Sequence, residues 1–257
     1  MDALPDISPG FIALSFIASF IACFFSSLAG GGAGLILLPL LLLLGLPFVN
    51  AIACHKLAVG FIGVGSGYRY MKAGLIDWKI FWWTGLVGVP AVVLGTLMAA
   101  RVSGEVMEPL LGVVILAMVA VSFLKKSTHL EHKPRALSRN AWVLASLLLL
   151  PMAFYSGWIS AGAGIFTTYL YLLYFRYDQL HATAMTLSAN GIFWNAVGAL
   201  GHVFMGHTVW SLAPGLVGGA ILGSYCGASL GIQKGNRFLR IIFLGSAALT
   251  GVLLLAR

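Results

Sequence analysis

The chain has 257 residues, of which 60% are hydrophobic and only 9% charged, with a mean hydropathy of +0.98. That is too little charge to wet a soluble surface, and single apolar runs exceed the roughly 18 residues that span a bilayer, so a soluble globular protein is excluded. The net charge of +8 gathers in short loops between apolar runs, which fits orientation in a membrane and argues against nucleic acid as a partner.

Apolar segments fall at 10–28, 33–46, 50–71, 79–100 and 106–124, then at 140–157, 163–175, 181–203, 211–231 and 237–256. The expected fold is an all-α integral membrane protein: a first transmembrane repeat over 1–124, a basic linker over 125–139 and a second repeat over 140–257. The linker holds Lys125, Lys126, Lys133, Arg135 and Arg139, and the positive-inside rule places it in the cytoplasm. Threading from there puts the turns with Arg69, Lys72 and Lys79 and with Lys234, Arg237 and Arg240 inside, and 101–108, 202–207 and both termini outside. The opening "MDALPDISPG" carries Asp2 and Asp6 without Lys or Arg, so it lacks the basic start of a cleavable signal peptide. Cys23, Cys54 and Cys226 lie in apolar runs without CxxC spacing, so neither a disulfide framework nor a zinc site is indicated. No cofactor is expected.

The two halves echo each other. "SSLAGGGAGLILL" from Ser26 returns as "SGWISAGAGIFTT" from Ser156, and "AGLIDW" (Ala73 to Trp78) as "MGHTVW" (Met205 to Trp210). The offsets are 130 and 132 residues. Five segments per copy, an odd number, would bring the second copy in from the opposite side, the inverted-repeat plan of many secondary transporters.

Segments 33–46 and 163–175 are shorter than the roughly 17 to 25 residues of a spanning helix. Each half is therefore expected to begin with a broken or re-entrant helix pair, with Gly31, Gly32, Ala33 and Gly34 at one break and Ala161, Gly162, Ala163 and Gly164 at the other. Irregular backbone at membrane depth is tolerated only in protein or along a cavity. Helices opening at Leu35 and Ile165 would aim free N–H groups and a positive dipole end at an anion. The competing reading is that these glycines only let helices pack closely. Gly215, Gly219, Gly223, Gly227 and Gly231 recur every four residues as a packing ladder of that kind. The ladder contains "GASLG" around Ser229, a match to the hydrolase nucleophile pattern without its strand–turn–helix setting, and no enzyme is expected.

No Asp or Glu falls inside a segment, so a carboxylate relay or cation cage lacks its ligands. His55 and Lys56 lie about a turn and a half into the third segment, where ionisable groups mark functional sites; Lys56 shares a helical face with Gly60, Gly63 and Gly67, which would leave room beside its ammonium. In the eighth segment Thr183, Thr186 and Asn190 share a face, with Asn195 further on. One cation, neutral hydrogen-bonding groups and two helix N-termini together suit a small oxyanion. The alternatives stay open that Lys56 reaches to the interface and that Asn190 and Asn195 only bridge helices. His181 reads as interfacial, and His202 and His207 lie in an outer turn without metal-site spacing.

The glycine break with Pro39, then "ACHKLA" and "AGLIDW", and in the second half "SAGAG" and "HATAMTLSAN", resemble the TauE/SafE family of membrane permeases, also called the sulfite exporter family. The likeness runs over nearly the whole chain. It implies a carrier, in the export direction, for small sulfur-containing anions such as sulfite, sulfonates or sulfoacetate across the bacterial inner membrane, with both termini periplasmic. Relatives often show Thr-Asn-Lys where this chain has Cys54, His55 and Lys56, and some carry an acidic residue where Ser26 and Ser156 stand; the lysine is the part that carries over. A channel-like anion pore and a carrier of an unrelated small carboxylate are the alternatives. The expected partners are the small anion, the lipid bilayer and, as an open alternative, a second copy in a homodimer.

Overall fold

The computed structural model describes residues 7–99 and 137–234, with isolated positions between and beyond them. Most of the expected segments 106–124 and 237–256 and nearly all of the basic linker fall outside the described residues, as do Asp2 and Asp6. Among the described residues the chain is helical, without strands.

Local chemistry sets the helix ends. Helix α1 (Pro9–Ala29) starts with proline in its first turn, where the missing N–H costs nothing, and the Ser8 hydroxyl accepts the Phe11 N–H at 3.3 Å. It stops at Gly30, in the left-handed region at φ 87°. A short 3-10 turn (Ala33–Leu35) leads into α2 (Leu37–Leu43), so the helix proper begins two residues beyond the expected Leu35. Helices α3 (Phe48–Lys72) and α4 (Trp78–Ala99) follow, the second capped by Asp77, whose carboxylate accepts the Lys79 and Ile80 N–H groups at 3.0 and 3.1 Å. In the second stretch α5 (Arg139–Trp158) is capped by Ser138, and α6 (Ala163–Tyr169) begins two residues before the expected Ile165 and runs into a π-helical turn (Leu170–Tyr174). Helix α7 (Gln179–Ala189) is capped by Asp178. A second π-helical turn (Asn190–Asn195) and α8 (Ala196–Phe204) continue it. A 3-10 turn (Trp210–Leu212) opens α9 (Ala213–Lys234).

Five of these helices, Pro9–Ala29, Phe48–Lys72, Trp78–Ala99, Arg139–Trp158 and the run Trp210–Gln233, are long and apolar enough to cross a membrane. Ala33–Leu43 and Ala163–Tyr174 are the short apolar pieces between them. The polarity is that of a membrane bundle: Leu86, Leu94, Leu147 and Phe204 face outward, while Ser19, Lys56, Thr84 and Ser224 are buried. Because lipid offers no hydrophobic drive for helices to associate, close contact comes from small residues. A Cβ added to Gly219, Gly223 or Gly227 of α9 would overlap the carbonyl oxygens of Phe16, Phe20 and Phe24 on α1, so the glycine ladder is a helix seam. Gly95 of α4 and Gly157 of α5 interlock in the same manner.

Backbone geometry recurs along the chain. Positive φ occurs at Gly30 and Ser160, at Gly32 and Gly162, at Gly45 and Arg176, and at Gly74 and Gly206, pairs separated by 130, 130, 131 and 132 residues. The hydrogen bonds recur with them: Leu35 N–H to Gly32 O matches Ile165 N–H to Gly162 O, both 2.9 Å, and Gly74 N–H to Met71 O matches Gly206 N–H to Val203 O, both 3.0 Å. Even the caps pair, Ser8 with Ser138. The two stretches depart from each other at the Asn190–Asn195 turn, whose counterpart in α3 is ordinary α-helix.

Candidate functional site

The two chain breaks cross each other. A Cβ on Gly31 would sit 2.9 Å from the Gly164 carbonyl carbon, and one on Gly34 would sit 3.0 Å from Ala161 Cα. Only backbone fits there. Gly31 and Gly32 also hold φ of 116° and 99°, which side chains resist.

Around this crossing lies a cavity of about 40 Å³. That is room for a few waters, or an anion of a few heavy atoms. Ten of the fourteen expected site residues line it: Gly31, Gly32, Ala33, Gly34, His55, Ala163, Gly164, Thr186, Asn190 and Asn195. Lys56, Ala161, Gly162 and Thr183 do not. Ala161 and Gly162 are buried in the second break, and the Thr183 hydroxyl sits beside Gly30 and accepts from the Gln179 amide at 3.4 Å. The reading of the residues passed over Ser160, whose left-handed backbone (φ 69°) aims its hydroxyl at His55 Nε2, 3.1 Å away. Ser26 and Ser156 complete the polar wall; in the sequence they were marked by their place in the echo and by the acidic residues that some relatives carry there.

Several polar groups of the residues that line this space lack internal partners, donors and one acceptor among them. Among the described residues the amides of Gly32, Ala33, Gly34 and Gly164 donate to no backbone carbonyl, as expected where helices begin. His55 Nδ1 and Asn190 Oδ1 are buried without a partner. Thr167 donates its proton to Ala163 O at 3.1 Å, so it accepts from the Asn190 amide NH₂, also at 3.1 Å, which fixes the orientation of that amide. Thr168 donates to Gly30 O at 2.6 Å and therefore accepts from Thr186 at 2.8 Å. This chain ties the second break to the first. Among the described residues no carboxylate lines the cavity.

Lys56 is 0% exposed. Its ammonium donates to Ser156 O and, at 3.3 Å, to Asn195 Oδ1, so the charge stands directly behind the wall, bonded to two residues that line it. The room for its side chain comes from Gly198 on α8, where a Cβ would meet Lys56 Cδ at 3.1 Å. Gly60, Gly63 and Gly67, which the spacing assigned to that job, instead face Ala196, Ile192 and Ser188 and let α3 lie against the π-helical turn. There Asn195 Nδ2 donates to Asn190 O at 3.0 Å, within the turn whose ladder is altered.

A polar cavity held inside an apolar helical bundle, with irregular backbone as its floor, defines a multi-pass membrane transporter. The chain belongs to the sulfite exporter TauE/SafE family, whose model matches residues 15–254. It is similar to a "Probable membrane transporter protein ORF9" of Sinorhizobium sp., 30% identical over 240 residues that cover 92% of this chain and 89% of that one. A "Probable membrane transporter protein" of Haemophilus influenzae is 27% identical, with 91% of each chain covered. A "Probable membrane transporter protein YfcA" of Escherichia coli K12 is 25% identical, covering 96% of this chain and 91% of that one. No solved structure matches the chain.

Proposed function

We propose that the chain is a secondary carrier of a small anion, with sulfite, sulfonates and sulfoacetate as the substrate class, working by alternating access around the cavity at the crossed breaks. The observation that carries this reading is the set of partnerless backbone amides at Gly32, Ala33, Gly34 and Gly164, backed by the Lys56 ammonium and faced by no carboxylate. Backbone N–H groups at membrane depth hold an anion without the cost of a second buried charge. The two stretches act as inverted repeats, a reading supported by the paired positive-φ positions, and exchange of their relative tilt opens the cavity to either side. Export across the bacterial inner membrane, with periplasmic termini, is the direction taken from the family.

The test is flux in proteoliposomes with radiolabelled sulfite, taurine, sulfoacetate and acetate. A carrier gives saturable uptake accelerated by the same anion on the far side. Flux that does not saturate and follows the membrane potential alone would mean a pore, and uptake of acetate but none of the sulfur anions would replace the substrate class.

A further inference from the structure

A second polar array lies between the cavity wall and the outer turn. His202, near the end of α8, is 0% exposed, and its Nε2 is buried without a partner. Its Nδ1 stands 3.3 Å from Nδ1 of His207 in the half-buried turn that follows. That turn is fastened to the start of α3, because Asn50 donates to His207 O at 2.8 Å. His202 is one helical turn beyond Gly198, on the face against which the Lys56 side chain lies. Four residues are about 6 Å of helix rise, and water is what would link the ammonium to the His202 ring.

The remaining groups around this array leave few ways for charge to move. From α3 the facing titratable groups are Lys56 and the buried Cys54 thiol, which lies beside the Val209 backbone; His55 turns to the cavity through Ser160. From α4 the neighbour is Thr96, buried with an unpartnered hydroxyl, and Lys79 lies at the other end of that helix over the Trp142 ring. The π-helical turn brings only Asn195. At the matching positions of the other stretch, offset by 130 and 132 residues, stand Thr186, Tyr70 and Leu75 in place of Lys56, His202 and His207. Tyr70 is spent on Ser27 O at 2.8 Å. Among the described residues, the Lys56–His202–His207 pattern therefore has no counterpart at the matching positions.

We infer that Lys56, His202 and His207 form a proton path from the outer turn to the cavity wall, which makes the proton the coupling ion of the carrier; the coupling part rests on the function proposed above. Imidazole suits the role because it takes a proton at one nitrogen and releases one from the other. Outward, an N–H bond of the Lys56 ammonium breaks and one forms at His202 Nε2 through the bridging water. The Nδ1–H bond of His202 then breaks as one forms at His207 Nδ1, and His207 gives its proton to solvent. Inward transfer reverses each step, with no oxidation or reduction. Lys56 thus trades a proton with the outside while its neighbours Asn195 and Ser156 report its charge to the bound anion.

The test uses the full-length protein in vesicles with radiolabelled sulfite, comparing wild type with His202→Gln, a change outside the cavity. Equal-pH sulfite exchange should stay within about twofold of wild type, while accumulation driven by an imposed pH gradient should fall at least tenfold. Accumulation by His202→Gln equal to wild type, or a wild type blind to the gradient, overturns the path. A second arm needs no transport: in ¹⁵N-histidine spectra, Lys56→Gln should move the titration of the His202 ring, and an unmoved titration overturns the path. If wild type exchanges none of the anions, the proposed function fails, and the spectra alone decide for or against the path.

Discussion

Gly31 and Gly164 meet backbone against backbone, with the space for a Cβ on Gly31 lying 2.9 Å from the Gly164 carbonyl carbon. This contact joins the two breaks and sets the cavity floor. Gly31→Ala places a side chain at φ 116°, a strain of about 1 to 3 kcal/mol, and also forces the breaks apart. Gly74→Ala carries the strain alone, since nothing lies within 4 Å of its Cβ position at φ 72°. Anion uptake at matched expression should therefore collapse for Gly31→Ala and stay within a fewfold of wild type for Gly74→Ala; equal losses would make the crossing a packing contact.

Lys56 gives the second prediction. Lys56→Gln removes the cation bonded to Ser156 and Asn195 of the cavity wall while keeping a hydrogen-bond donor, and it should weaken anion binding at least tenfold, about 1.4 kcal/mol. Lys72→Gln, at an exposed position, should leave affinity unchanged. Titration calorimetry on purified protein distinguishes the two, and a Lys56→Gln affinity equal to wild type would remove the lysine from the site.

The limits of what the residues reveal are local. The apolar runs announce the spans and the break lengths announce interrupted segments, because hydropathy and span length are read over neighbouring residues; the Ser8 and Ser138 caps appear only in the structure. The expected spans 50–71, 79–100 and 140–157 accordingly match Phe48–Lys72, Trp78–Ala99 and Arg139–Trp158. The π-helical turn at Asn190–Asn195 was not legible, since it depends on Gly60 and Gly63 of α3 admitting a distorted backbone. The place of Lys56 behind the wall was hidden for the same reason: its acceptors, Ser156 and Asn195, lie 100 and 139 residues away. Spacing along one helix names a face but not what meets it.

Topology is checked by labelling. With Cys23, Cys54 and Cys226 replaced, a cysteine at Ser8 should react with an impermeant thiol reagent in intact spheroplasts, and one at Ser127 only after permeabilisation. The reverse pattern would overturn the charge-based threading and the inverted orientation of the halves.

His207 gives a pH dependence. Burial holds its imidazole below the ordinary histidine value of 6.5. Below that value the unfolded chain takes up a proton that the folded one resists, so the histidine's stabilising contribution is complete above 6.5 and declines as pH falls towards the depressed pKa. Thermal unfolding in detergent, followed by tryptophan fluorescence, should show a shallower acid decline for His207→Gln than for wild type; identical declines would mean the ring titrates alike folded and unfolded.

The central claim is that a small oxyanion sits where the two breaks cross. Crystals grown with selenite, the selenium counterpart of sulfite, and measured at the selenium absorption edge would locate that anion directly. The predicted result is an anomalous peak in the cavity, within hydrogen-bond reach of the amides of Gly32, Ala33, Gly34 and Gly164. A cavity without a peak, or a peak elsewhere in the bundle, in protein that transports selenite would contradict it.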